Sequence, residues 1–197
     1  FNGVEKIDEI LSIFEKCNAQ ATLFVTGDVL GRYIKKIKEW SKKYEVASHS
    51  YSHIYFNELS LEQKDEDTKK FIEIYRNLFG DNPKGFRAPS HVIEEETFTV
   101  LEKYGFVYDS SVVPRYPYLK QYRGYSGKAP TSPYSPKAGN IRQYEAEEGK
   151  GGIVALPVTG QSWGIPLAGA WIRGLPVWFY KFLFIFNNPD YITLSMH

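Results

Sequence analysis

The sequence predicts an α/β domain built on a parallel sheet. Short β-rich apolar runs alternate with amphipathic helical segments through the first hundred residues. One of them, residues 21–26, has the pattern of a strand covered on both faces. Reactive polar side chains recur where those runs end.

The first segment opens with Asn2 and Glu5, spaced as a helix cap and its capping-box partner, and Val4, Ile7, Ile10, Leu11 and Phe14 follow at helical spacing to about Asn18. Residues 21–26, ATLFVT, read as a buried strand. Val29, Tyr33, Ile37 and Trp40 then share one side of a second amphipathic helix, with lysines opposite. A brief strand, Glu45 to Ser48, leads into SHSYSH. Ser60 and Gln63 open a third helix that carries Phe71, Ile72, Tyr75, Leu78 and Phe79 and stops at Gly80. Lys84 to Ser90, KGFRAPS, is a strand entering a loop. Thr97 to Tyr104 is helical, Gly105 ends it, and Phe106 to Ser111 is the next strand.

Regularity stops between Val112 and Gly152, where Pro, Gly, Ser and Tyr dominate, and a long rim loop is expected there. GIVALPV, Gly152 to Val158, resumes the strands, Pro176 to Phe186 is a short aromatic helix, and Tyr191 to Met196 is a last strand. That makes roughly six strands.

At 197 residues the chain fits a single domain spanning 1–197. A net charge of +1 with no basic run excludes a phosphate-backbone partner. Cys17 is the only cysteine, so no intrachain disulfide forms and the compartment stays open between cytoplasm and cell envelope. The stretch from Val177 to Phe186 is interrupted by Lys181 and falls short of the ~20 residues of a membrane span. The chain opens at Phe1 directly before a helix and closes on His197 directly after a strand-like run. Trimming at both ends is expected.

Four strand ends carry chemistry: His49 with His53, Arg87 with Ser90, Asp109 with Ser110 and Ser111, and His197. In parallel α/β barrels such ends converge on one face, where active sites lie. Each group also has a plain structural reading. Two histidines four apart either share a zinc ion through ring nitrogens or serve as surface and capping residues. Arg87 can be an ion-pair partner, Asp109 a turn cap and His197 a packed core residue. The recurrence at four ends favours the chemical reading. A zinc peptidase is set aside, because Ser50 stands where a helical HExxH motif has its glutamate.

His49-Ser-Tyr-Ser-His53, Arg87-Ala-Pro89-Ser90, Asp109-Ser-Ser111 and Leu194-Ser-Met-His197 resemble, in order and spacing, the polysaccharide deacetylases of carbohydrate esterase family 4, the NodB-homology fold. ATLFVTG, residues 21–27, is similar to that family's second strand, and GAWIRGLP, residues 169–176, looks like a segment of its branch tied to cell-surface and exopolysaccharide processing. The resemblance implies a distorted (β/α) barrel with fewer than eight strands, the first of them ahead of this chain. It implies a hydrolase that removes N-acetyl groups from a polysaccharide or glycan with a divalent metal, most often zinc. His49 and His53 would be metal ligands, Arg87 would orient the catalytic carboxylate, and His197 would be the general acid. The backbone around Ser90 would line the oxyanion site, with Asp109 supporting the groove. Tyr116, Tyr118, Trp163 and Trp171 would either stack on sugar rings or pack the rim loops.

The family's first motif, an acidic pair that supplies the third ligand and the general base, is expected ahead of Phe1, because Glu5, Asp8 and Glu9 fall on the first helix. Without that pair, the alternative is a catalytically inactive carbohydrate-binding or scaffold domain of the same fold.

Overall fold

A computed structural model describes residues 3–114, 129–137, 140–144, 152–159, 167–187 and 192–195. Five strands form a parallel sheet: β1 (Thr22–Val25), β2 (Glu45–Ser48), β3 (Gly85–Phe86), β4 (Tyr108–Asp109) and β7 (Val154–Ala155), side by side in chain order. Helix α1 (Ile7–Lys16) precedes β1, and between the strands lie α2 (Gly27–Arg32), α3 (Ile34–Trp40), α4 (Leu61–Phe79) and α5 (Glu95–Lys103). The expected α/β class and strand count below eight hold, although the sheet stays open among the described residues.

Local signals explain most elements. Ser60 and Gln63 form a reciprocal capping box at the start of α4, and Gly80 ends it at φ 77°, a left-handed turn that costs glycine little. Gly105 closes the turn after α5 in the same way, at φ 76°. The start of the chain differs from expectation. Gly3–Lys6 is a 3-10 turn, and α1 begins at Ile7 after Lys6, with no side-chain cap; Asn2 lies outside the described residues. The second amphipathic segment is two helices, because Tyr33 leaves the helical region at φ −115°, ψ 34°. Leu30, Ile37 and Trp40 still bury together, so the apolar side is kept across the break.

Two further expectations are corrected. The segment expected to be loop contains an antiparallel hairpin, β5 (Pro136–Lys137) with β6 (Asn140–Tyr144), and Tyr134 bridges Ala155 of β7. Of the final strand expected over Tyr191–Met196, residues 192–194 form no regular element and Ser195 makes a single bridge with Ala168, while Tyr191 and Met196 lie outside the described residues. This segment bonds instead to loop backbone: the Thr159 amide donates to Thr193 O and the Ser195 amide to Leu167 O. The short aromatic helix is present as α7 (Val177–Asn187), preceded by α6 (Gly169–Gly174).

Two apolar clusters flank the sheet. One joins Phe56, Ile72, Phe86, Leu101, Phe106 and Ile153, and the other Leu11, Leu30, Ile37, Trp40, Val46 and Phe71. Helix α4 reaches both, through Ile72 and Phe71. That double anchorage fixes the helix against the strand ends, where it meets the histidine loop.

Candidate active site at the strand ends

Sheet register brings the candidate residues to one level. Val25 pairs with Ser48, Ser48 with Phe86, Phe86 with Asp109, and Asp109 with Ala155. The ladder runs one step past this row: the His49 amide donates to Val25 O, Arg87 to Ser48 O, Ser110 to Phe86 O and Leu156 to Asp109 O. His49, Arg87 and Ser110 therefore leave the sheet together at its C-terminal edge, the place where open α/β sheets hold their ligands.

The histidine loop is held from several directions. His49 is buried, and its Nδ1 lies 2.7 Å from Arg87 O. A carbonyl only accepts, so Nδ1 carries the hydrogen, and in the neutral ring the lone pair belongs to Nε2. This backbone partner orients the imidazole as such partners orient metal ligands. His53 is exposed, and its ring centroid lies 5.0 Å from that of His49, at 70°. Ser50 Oγ accepts from the His53 amide at 3.0 Å, and both Asp67 carboxylate oxygens accept from the loop, from the Tyr51 amide at 2.8 Å and the Ser52 amide at 2.9 Å. The Tyr51 ring lies so close over Gly27 that a Cβ there would collide with it.

Arg87 ties the other strand ends together. It is buried, lies 4.2 Å over the Phe24 ring, and donates through Nε to Ser110 O at 2.9 Å and through Nη2 to Ser110 Oγ at 2.8 Å. Its Nη1 donates to Ser195 Oγ at 3.3 Å. Beneath it, Asp109 is fully buried and accepts from the Ser111 amide at 2.9 Å and from Ser111 Oγ at 2.6 Å, while Ser111 Oγ accepts from the Ala88 amide. Burial pushes the Asp109 carboxyl up to about 7, against the opposing pull of the Ser111 hydrogen bonds and the Arg87 charge. Asp109 thus braces the loop that follows Arg87 from below.

Backbone strain gathers here as well. Of the five non-glycine residues with positive φ among the described residues, four lie in these two loops: Ser50 (65°), His53 (61°), Ser90 (51°) and His91 (60°). Such strain persists only where surroundings over-determine the backbone, and it clusters at functional sites.

His49, His53, Arg87, Ser90 and Asp109 therefore gather at one end of the sheet, whereas His197, Tyr116, Tyr118, Trp163 and the side chain of Trp171 lie outside what is described. Among the described residues no group of three or more His, Cys, Asp or Glu comes together to hold a metal ion. Two imidazole donors are nonetheless a chemically suitable part of a zinc set. Sequence reasoning missed Asp67, Ser195 and His91. His91 bears against both Ser111 O and Ser195 Oγ. Only the short distance of His91 from Arg87 along the chain hinted at it.

The chain matches the family model for polysaccharide deacetylase over residues 3–108. It is 30% identical over 115 residues to a peptidoglycan deacetylase-like protein of Gibberella zeae, a match that covers 57% of this chain and 34% of that one. A peptidoglycan deacetylase of Helicobacter pylori is 30% identical over 114 residues, covering 57% of this chain and 39% of its own. The chain thus spans well under half the length of these relatives. In fold it is similar to a polysaccharide-deacetylase-type crystal structure from Mycobacterium smegmatis (TM-score 0.59, 24% identity, 78% of this chain and 45% of that chain). A mutant pseudoenzyme of carbohydrate esterase family 4 with restored enzymatic activity is also similar in fold (TM-score 0.51, 22% identity, 56% of this chain and 41% of that chain).

Proposed function

The chain belongs to the polysaccharide deacetylase family, and from that premise we propose that the full-length protein is a metal-dependent hydrolase removing N-acetyl groups from a glycan. The observation that carries this reading is the arrangement of His49 and His53. One ring has its tautomer set by a backbone carbonyl, and the second ring stands 5.0 Å away, centroid to centroid, at the C-terminal edge of the sheet. The names of the relatives make peptidoglycan the first glycan to try.

His49, through Nε2, and His53 would hold a divalent cation, zinc before others for imidazole donors, and the cation would supply polarisation of the acetamide carbonyl and acidification of a water. The water that adds to the acetyl carbon would lose its proton to the acidic pair that the family resemblance implies, and this chain's own residues would serve the acetamide oxygen and the leaving nitrogen. The backbone around Ser90 lines the place where negative charge develops on the acetamide oxygen, a contact whose loss typically costs about 2.7–4 kcal/mol. Arg87 keeps that loop in register with the Ser110 strand end. His197 delivers a proton to the leaving nitrogen as the carbon–nitrogen bond breaks, so acetate and a free sugar amine part. Asp109 supports the groove from within the fold.

A second reading is a domain of the same fold that binds glycan without cleaving it. The acidic pair expected ahead of Phe1 separates the two. Zinc analysis of purified full-length protein tests the metal assignment: about one zinc per chain is expected, and His49→Ala with His53→Ala should abolish it. Unchanged zinc in the double variant would overturn the assignment.

A further inference from the structure

We propose that His91 is a positioning residue that clamps the segment leading to His197 onto the Arg87 loop, an inference that rests on the deacetylase reading above. His91 follows Pro89 and Ser90 in a 3-10 turn and holds φ 60°, a conformation uncommon outside glycine. Its Nδ1 lies 3.2 Å from Ser111 O, so Nδ1 donates. Its Nε2 lies 3.1 Å from Ser195 Oγ, across 104 positions of sequence.

Ser195 is 3% exposed and two residues before His197 in the chain. The hydroxyl accepts from Arg87 Nη1 and, with its own hydrogen, donates to His91 Nε2. One small side chain is thereby held between the buried guanidinium and the imidazole, and each of these is fixed in turn by the Ser110–Ser111 strand end. The Ser195 amide donates to Leu167 O, so backbone and side chain are anchored to different parts of the fold. A general acid carried two residues further on gains its aim from such an anchor. Misalignment of a catalytic group lowers turnover with little effect on ground-state binding.

Two substitutions of full-length, zinc-loaded protein test this. Glutamine can reach Ser195 with an acceptor oxygen, whereas asparagine suits the left-handed backbone better but retains only the shorter reach to Ser111. If His91 clamps Ser195, H91N should lose about tenfold in kcat at unchanged KM, and H91Q should recover most of it. If only backbone conformation matters, the order reverses, and that result overturns the proposal. Ser195→Ala should lose kcat to a similar degree, and adding H91N to it should change little; fully additive losses would contradict the clamp. Hydrogen exchange provides a readout without substrate: the Ser195 amide should exchange faster in H91N, and unchanged exchange overturns the proposal. A zinc-loaded wild type that releases no acetate would defeat the deacetylase reading, while faster exchange in H91N would still support the clamp.

Discussion

Arg87 shows why a single side chain can matter beyond its motif. Among the described residues its nitrogens reach Ser110 O, Ser110 Oγ and Ser195 Oγ, in directions that the planar fork of a guanidinium serves together. Arg87→Lys should therefore cost about 1–3 kcal/mol in stability, because buried acceptors lose their donors, and turnover should fall with it. Denaturant titration and initial rates measure the two effects; a lysine variant as stable as wild type would contradict this description. Position 87 was legible in the sequence as one of four polar strand ends and as part of the Arg87-Ala-Pro89-Ser90 resemblance, although taken alone it also reads as an ion-pair partner. Its partners were not. Ser195 lies 108 positions away, and Asp67, His91 and Ser195 enter the site through tertiary contacts that leave no periodic trace.

Among the elements, α4 contributes most to the site without containing any residue that the motifs point to. Its capping box and terminal glycine were plain in the sequence, and its Phe71 and Ile72 insert into separate apolar clusters. The same helix turns Asp67 toward the histidine loop, where one carboxylate satisfies two backbone amides. Asp67→Ala should leave both amides without that acceptor, lowering stability by roughly 1–3 kcal/mol and weakening zinc binding although His49 and His53 are intact. Calorimetry with zinc chloride reads the second effect; unchanged affinity would show that the loop holds itself. Where expectation and structure part, the cause is local. Tyr33 breaks a helix whose apolar spacing runs straight through the break, and a hairpin sits in a stretch whose Pro and Gly content reads as loop. Composition records the presence of turns, but it does not say whether strands pair across them.

For the whole molecule, α/β alternation made the parallel sheet legible, and the resemblance in four motifs pointed to its C-terminal edge as the site. The row from Val25 to Ala155 supplies the physical reason that the motifs meet there. Burying Asp109 under that edge makes global stability depend on pH. The folded carboxyl holds its proton up to about 7 against an ordinary 3.8, so stability from this group is complete below about 4 and is lost as pH rises through 7. Asp109→Asn should flatten that slope, an effect on the order of a few kcal/mol across the window, followed by melting temperature between pH 4 and 8. A wild-type slope equal to that of the variant would place the titration elsewhere.

Acetate release by full-length protein tests the central claim most directly. Purified protein, stripped with chelator and reloaded with zinc, should release acetate from peptidoglycan or N-acetylglucosamine oligomers only when reloaded, and His197→Ala should lower kcat by about 10²–10⁴-fold. Zinc-loaded protein that binds these glycans yet frees no acetate from any of them would contradict the account and leave a glycan-binding domain in its place.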